Sequence, residues 1–232
     1  MKKILLITAL FCSIISAQPT DSDFSQWPRS YFASIGFDVI ATRGDFFKRT
    51  LRIQNKDGLE ETINFPTSKV YMSPEYSIGV NIREFSLATS FQYWSMKTPV
   101  TNIPEEQKMR FWRLGVDFIY YFFYPEFFQA GAGLGYSYSS IKTENSAISA
   151  QGIEHSELMG SAIALIGSIR YYVTSFFCLN PSLHIYEGWY KSVHTRKSGT
   201  IELNKKNNGI KDKNSYVWQT HISISISAMV QF

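Results

Sequence analysis

The stretch SYVWQTHISISISAMVQF, Ser215 to Phe232, closes the chain and reads as one β-strand with two unlike faces. Strand side chains alternate between faces with a period of two. One face carries Trp218, Thr220, Ile222, Ile224, Ile226, Ala228, Val230 and Phe232, and the other carries Gln219, His221, Ser223, Ser225, Ser227 and Gln231, with Met229 as the one large apolar intrusion. A membrane-crossing helix needs roughly 20 consecutive apolar residues, and here nearly every second position is polar. The segment therefore excludes a helical span and fits a strand with lipid on one side and a polar interior on the other.

Working outward, Phe128 to Ser140 repeats the pattern, with Phe128, Ala130, Ala132, Leu134, Tyr136 and Tyr138 opposite a row of Gln, Gly and Ser. Glycine weakens strands, so its recurrence on one face predicts a crowded interior that takes bulky side chains from opposite walls. Tyr31 to Thr42, Val70 to Ile82, Phe85 to Met96, Phe111 to Phe122, Leu158 to Tyr172 and Phe177 to Tyr190 bring the expected strands to about eight. Short connections at Arg83-Glu84, Phe123 to Glu126 and Val173 to Ser175 alternate with long ones at Arg43 to Lys69, Lys97 to Arg110, Ile141 to Glu157 and Lys191 to Asn214. The expected fold is all-β: a closed antiparallel up-and-down transmembrane barrel with short periplasmic turns, long extracellular loops and both termini periplasmic. Aromatic clusters at Tyr120 to Tyr124, Phe127-Phe128, Tyr171-Tyr172 and Phe176-Phe177 flank two of the short turns as an interfacial girdle would.

The chain has 232 residues, 16% of them aromatic, and a formal charge of +4. Its mean hydropathy of -0.13 is not that of a helical membrane protein. Lys2 and Lys3, the apolar run Ile4 to Ile15 and Ile15-Ser16-Ala17 read as a secretory signal, so residues 1–17 are expected to be cleaved and 18–232 to form one domain. Cys178 is then alone, and no internal disulfide is expected. A soluble secreted barrel would place charge at every second outward position; here the polar faces are mostly Gly, Ser, Asn and Gln, which favours membrane placement.

On these features the chain resembles the small eight-stranded outer-membrane barrels, the class of OmpX and of the membrane domain of OmpA. The resemblance covers the architecture of nearly the whole mature chain. Its most specific element is the last strand, where Phe232, Val230, Ala228 and Ile226 match the signal read by the barrel-assembly machinery. The family pattern has an aromatic where this chain has Val230 and a glycine where it has Ser227. The resemblance implies insertion by that machinery into the outer membrane of a diderm bacterium, among lipid and lipopolysaccharide.

With the apolar faces outward, Asp38, Glu75, Asn81, Arg83, Arg113, Asp117, Gln129, Arg170, Asn180, His184 and His221 point inward. Charges in a narrow barrel must pair and hydrogen-bond to offset desolvation, so Glu75, Arg83, Arg113, Asp117 and Arg170 are read as a neutralising network. The catalytic alternative is a cluster of His184, His221 and Asp38, with Ser223 as a nearby hydroxyl. Lipid A deacylases and palmitoyl transferases of the same membrane share only fragments with this chain: His221-Ile222-Ser223 has no acid after it, and no spacing supports His155-Ser156 or His194 with Asp45. The histidines lack metal-ligand spacing, no cofactor is expected, and the Gly131 to Gly135 series has no helix after it to cradle a nucleotide or nucleic-acid phosphate.

The loops are then the expected working surface. Lys191 to Asn214 is basic, either to meet lipopolysaccharide phosphates or an acidic surface polymer, or simply as a soluble Lys-rich exposed turn. In the first loop, Leu51-Arg52-Ile53 and Thr62 to Phe65 flank Asn55-Lys56-Asp57-Gly58, which predicts a hairpin protruding from the membrane, with an edge open to strand addition by a protein partner. A structural or interaction barrel, alone or within an envelope complex, is the favoured reading; a lipid-directed enzyme and a small-solute channel are the alternatives.

Overall fold

The computed structural model describes residues 31–43, 50–54, 60–65, 70–100, 103–123, 125, 127–149, 152–203 and 217–232. The expected leader and the positions around Asp57-Gly58 lie outside them. Among the described residues eleven strands follow in order: β1 Tyr31–Arg43, β2 Thr50–Gln54, β3 Glu60–Asn64, β4 Val70–Ile82, β5 Phe85–Val100, β6 Ile103–Phe123, β7 Phe128–Ser149, β8 Gly152–Tyr172, β9 Phe177–Thr195, β10 Gly199–Glu202 and β11 Val217–Gln231. Among the same residues no helix is long and apolar enough to cross a membrane, which for a barrel excludes nothing.

Eight strands close the wall in the order β1, β4, β5, β6, β7, β8, β9, β11, each antiparallel to the next, and β11 returns to β1. Closure runs from Phe32 opposite Gln231 to Arg43 opposite Thr220, and Tyr31 and Phe232 exchange backbone hydrogen bonds at the rim. A closed wall leaves no free edge where lipid would have to meet bare N–H and C=O groups.

Burial alternates as the sequence predicts. Ile222, Ile224, Ile226 and Val230 are exposed, while His221, Ser223 and Ser225 are buried. Ile35, Phe37, Ile78, Leu87, Leu114, Phe118, Leu134 and Leu165 continue the exposed apolar belt on the other strands. From Ile222 to Val230, tilted strand geometry gives roughly 20 Å along the axis, close to the apolar band of an outer-membrane barrel. Aromatics border the belt at both ends, with Phe85, Tyr120, Phe127 and Tyr171 near the short turns and the pairs Trp112–Tyr138 and Trp189–Trp218 at the far end.

Two expectations about the loops change. The segments Lys97 to Arg110 and Ile141 to Glu157 are largely strand, because β5, β6, β7 and β8 run on past the belt. The first-loop hairpin forms, with Leu51 opposite Ile63, but it does not protrude. It folds across the mouth to the opposite wall, where β3 pairs with β7 through Glu61 with Ser149, Thr62 with Ile148 and Ile63 with Ala147. Its apolar face drives this: Leu51, Ile53, Ile63 and Phe65 are buried in one cluster with Ile141, Leu158, Val193, Ile201 and Leu203.

Crowding at the glycine row also has a different source from the one expected. A Cβ at Gly131 would meet the Tyr120 carbonyl at 2.6 Å, and one at Gly133 would meet Ile119 Cα at 2.8 Å. The neighbouring strand β6, rather than the opposite wall, demands these glycines.

Candidate functional site

Two layers fill the barrel. The lower one is polar and lies within the apolar belt. Arg113, buried on β6, donates to Glu75 on β4 at 2.9 Å and lies 4.4 Å over the ring of Tyr186 on β9. Gln92 on β5 donates to Glu75 at 3.1 Å and also to Asp38 on β1. A row on β9 continues the network: the Tyr186 hydroxyl meets His184 Nδ1 at 2.7 Å, His184 Nε2 meets Ser182 at 3.0 Å, and Ser182 meets Ser225 on β11 at 2.6 Å. His221 packs at a tilt against Tyr186, ring centroids 4.3 Å apart.

Nearer the termini, Arg170 is held, among the described residues, without a carboxylate. It donates to Asn81 and to Ser86, each at 2.9 Å, and lies 4.4 Å over Tyr121 and 5.1 Å over Phe32. Below it Tyr172 donates to Gln129 at 3.0 Å and accepts from Gln231 at 3.2 Å. Between Arg170 and the Ser182–His184 row lies a cavity of about 40 Å³. That is room for a few waters and too little for a solute path.

The structure therefore gathers His184 and His221, but around Tyr186 rather than around Asp38 and Ser223. Asp38 joins the carboxyl side of the network through Gln92, and among the described residues neither His221 Nδ1 nor Ser223 Oγ has a hydrogen-bond partner. Glu75 and Arg113 pair directly, and Asp117 and Arg170 are buried in the same lumen. Arg83 does not belong there: it sits exposed in the two-residue turn before β5, with φ of 55°, where the chain reverses and the inward alternation no longer applies. Tyr186 and Gln92 are the hubs that a search for charged and nucleophilic residues passes over. Both lie on inward rows already legible from alternation, beside His184 and opposite Glu75.

The upper layer is apolar and closes the mouth. It contains the buried face of the β2–β3 hairpin, the tops of β7, β8 and β9, and β10, which pairs with β9. Glu61, 1% exposed, latches hairpin to wall: it accepts from Thr195 on β9 at 3.1 Å and from the hydroxyl of Ser198 in the β9–β10 turn. A register shift at Met159/Gly160 leaves Lys191 as an extra residue on β9, so that both Tyr190 below it and Val193 above it point inward. Of the basic loop, Lys191, Arg196 and Lys197 are described; Lys205, Lys206, Lys211 and Lys213 lie outside the described residues. Among the described residues no group of three or more His, Cys, Asp or Glu is arranged to hold a metal ion.

An eight-stranded antiparallel wall, lipid-facing outside and filled inside, defines the small outer-membrane β-barrel. Among solved structures, the outer-membrane protein OprG of Pseudomonas aeruginosa shares this fold with a TM-score of 0.54 at 11% identity, over 90% of this chain and 98% of that one. Neisserial surface protein A aligns with a TM-score of 0.48 at 12% identity, over 87% of this chain and 97% of that one. Ail of Yersinia pestis aligns at 0.47 and 11%, over 88% and 99%. No protein-family profile and no curated protein matches the sequence.

Proposed function

We propose that the protein is a structural and interaction barrel of a diderm outer membrane, with both termini periplasmic and its capped end as the working surface outside the cell. The observation that carries this reading is the closed mouth. Leu51, Ile53, Ile63 and Phe65 seal it with hydrocarbon above a lumen already packed with side chains, so transport is disfavoured and the outer surface is left to act. The barrel-assembly machinery would read Phe232, Val230, Ala228 and Ile226, and Lys191, Arg196 and Lys197 would meet lipopolysaccharide phosphates or an acidic partner. Crosslinking in intact outer membranes followed by pull-down tests it: one defined envelope protein, or lipopolysaccharide, joined through the capped end supports the reading, and adducts confined to the barrel wall overturn it. Planar-bilayer conductance is expected to be silent, and steady channels would restore the solute-channel reading.

One observation favours lipid-directed chemistry instead. Ser182 and His184 touch, with Tyr186 orienting the imidazole, which is the contact a hydroxyl nucleophile and its base require. The adjoining cavity of about 40 Å³ is smaller than an ester with its acyl chain. Lipid A from a deletion strain is therefore expected to keep its acyl pattern; a changed pattern would favour the enzyme.

A further inference from the structure

The ladder between two wall strands is interrupted at one point, where the Ser168 hydroxyl bridges to Asn180 at 2.8 Å. Strands β8 and β9 pair from Ser156 down to Ser168 opposite Ser182, and again at Tyr171 opposite Leu179, in the same register, but the ladder is interrupted between these points. Pro181 sits in the gap, and proline has no N–H to give to a ladder. On the lipid side of this gap lies an apolar groove of about 370 Å³, bordered by Ala130, Gly167, Ile169, Pro181 and Leu183. On the lumen side lies the polar cavity, and Ser168 and Ser182 border both. Only the thickness of an interrupted strand pair separates the lumen cavity, with its room for a few waters, and Arg170 from the membrane.

Gly167 makes the groove. A Cβ there would meet nothing within 4 Å, whereas one at Gly131, at Gly160 or at Gly36 would meet a neighbouring strand at 2.5–2.6 Å. Packing of the wall thus requires glycine at those positions and does not require it at 167. Its backbone is one any residue adopts, and an aliphatic residue there would continue the belt formed by Ile163, Leu165 and Ile169 on the same strand face. The sequence leaves a hollow where the fold would accept hydrocarbon of its own.

We propose that this groove is a binding site for one acyl chain of a phospholipid in the leaflet nearer the termini. The groove is continuous with the exposed apolar belt that forms the lipid interface, so hydrocarbon is what covers it. Its position, five residues up β8 from Tyr172, lies on the terminus side of the belt. A chain seated there packs against the interrupted ladder and replaces the side chain that Gly167 lacks. It thereby shields the backbone at the interruption and keeps lumen water from the bilayer.

The test uses the full-length protein in phosphatidylethanolamine–phosphatidylglycerol vesicles that contain a phospholipid with a photoreactive acyl chain. Adducts mapped by mass spectrometry are expected to concentrate on the β8–β9 peptides around Gly167 and Leu183. Gly167→Phe, which fills the groove, is expected to lower that yield about fivefold or more, while Ile163→Phe on the same lipid-facing row leaves it unchanged. Ala130→Leu fills the groove from β7 and stands in if Gly167→Phe does not fold. Labelling spread round the belt in proportion to exposed area, or a yield at the groove unchanged in a folded groove-filling variant, would overturn the proposal. So would equal protection of the groove by lipopolysaccharide or detergent in competition.

Discussion

Within the belt, Arg113, Glu75, Gln92 and Tyr186 fill the barrel with hydrogen bonds and a cation–ring contact; above it, Leu51, Ile53, Ile63 and Phe65 fill it with hydrocarbon. The wall strands serve both layers, and the β2–β3 hairpin serves only the upper one. Strand β8 turns Arg170 and Ser168 inward low in the wall and Leu158 inward at the top, and β7 turns Gln129 inward below and Ile141 above. The solvent outside makes the difference. Where lipid surrounds the wall, apolar side chains belong outside and the interior is the place for polar groups, each of which then needs a partner. Where water surrounds it, the ordinary rule returns and the apolar residues go in.

That contrast can be broken from either side. The largest effect is expected from Arg113→Leu, which leaves Glu75 buried without its cation. The loss of barrel stability is about 3–5 kcal/mol, read as a lower urea midpoint for the folded species in lipid vesicles. Adding Glu75→Gln should recover part of it, since the stranded charge is then gone. Ile63→Ala removes buried hydrocarbon from the cap at a cost of about 2–5 kcal/mol. This cost should appear locally, as faster hydrogen exchange and protease cutting within residues 50–65, with the urea midpoint of the barrel little changed. If Ile63→Ala lowers that midpoint as much as Arg113→Leu does, the two layers are one cooperative unit and the contrast is false.

On the outer face, Ile224→Arg places a charge in the middle of the belt and should cost about 2–4 kcal/mol in lipid vesicles. The smallest effect is expected from Tyr186→Phe, which keeps the ring beside Arg113 and His221 and loses the hydroxyl bonded to His184. It should cost about 0.5–1.5 kcal/mol. A much larger effect would show that the hydroxyl organises the whole row.

Much of the wall was legible because lipid writes alternation onto one face: Ile222, Ile224 and Ile226 against Ser223 and Ser225 place β11 and its facing at once. The strand tops were not legible for the same reason. Beyond the belt the outer face meets water, so Lys142, Glu144 and Glu157 interrupt the pattern and the continuation of β7 and β8 looks like loop. The hairpin was legible as a hairpin, since alternation and Asp57-Gly58 are local signals. Its destination was not, because Thr62 meets Ile148 across 86 positions and nothing in either segment names the other. In the lumen, alternation revealed which residues face inward but not which meet. Asp38 and His221 share the interior, yet Asp38 bonds to Gln92 while His221 packs against Tyr186.

The cap stands or falls with the pairing of β3 and β7. Thr62→Cys with Ile148→Cys, on a Cys178→Ala background, places two thiols on directly opposed residues of an antiparallel pair, within the reach of a disulfide. A cap folded across the mouth predicts that the folded protein in lipid forms this disulfide under mild oxidation, while Thr62→Cys combined with Ile40→Cys, on the strand the hairpin leaves, does not. Thiols that stay free at both positions of the Thr62→Cys, Ile148→Cys variant after oxidation, each open to a water-soluble maleimide, would contradict the closed mouth and return the first loop to a ribbon standing free of the barrel.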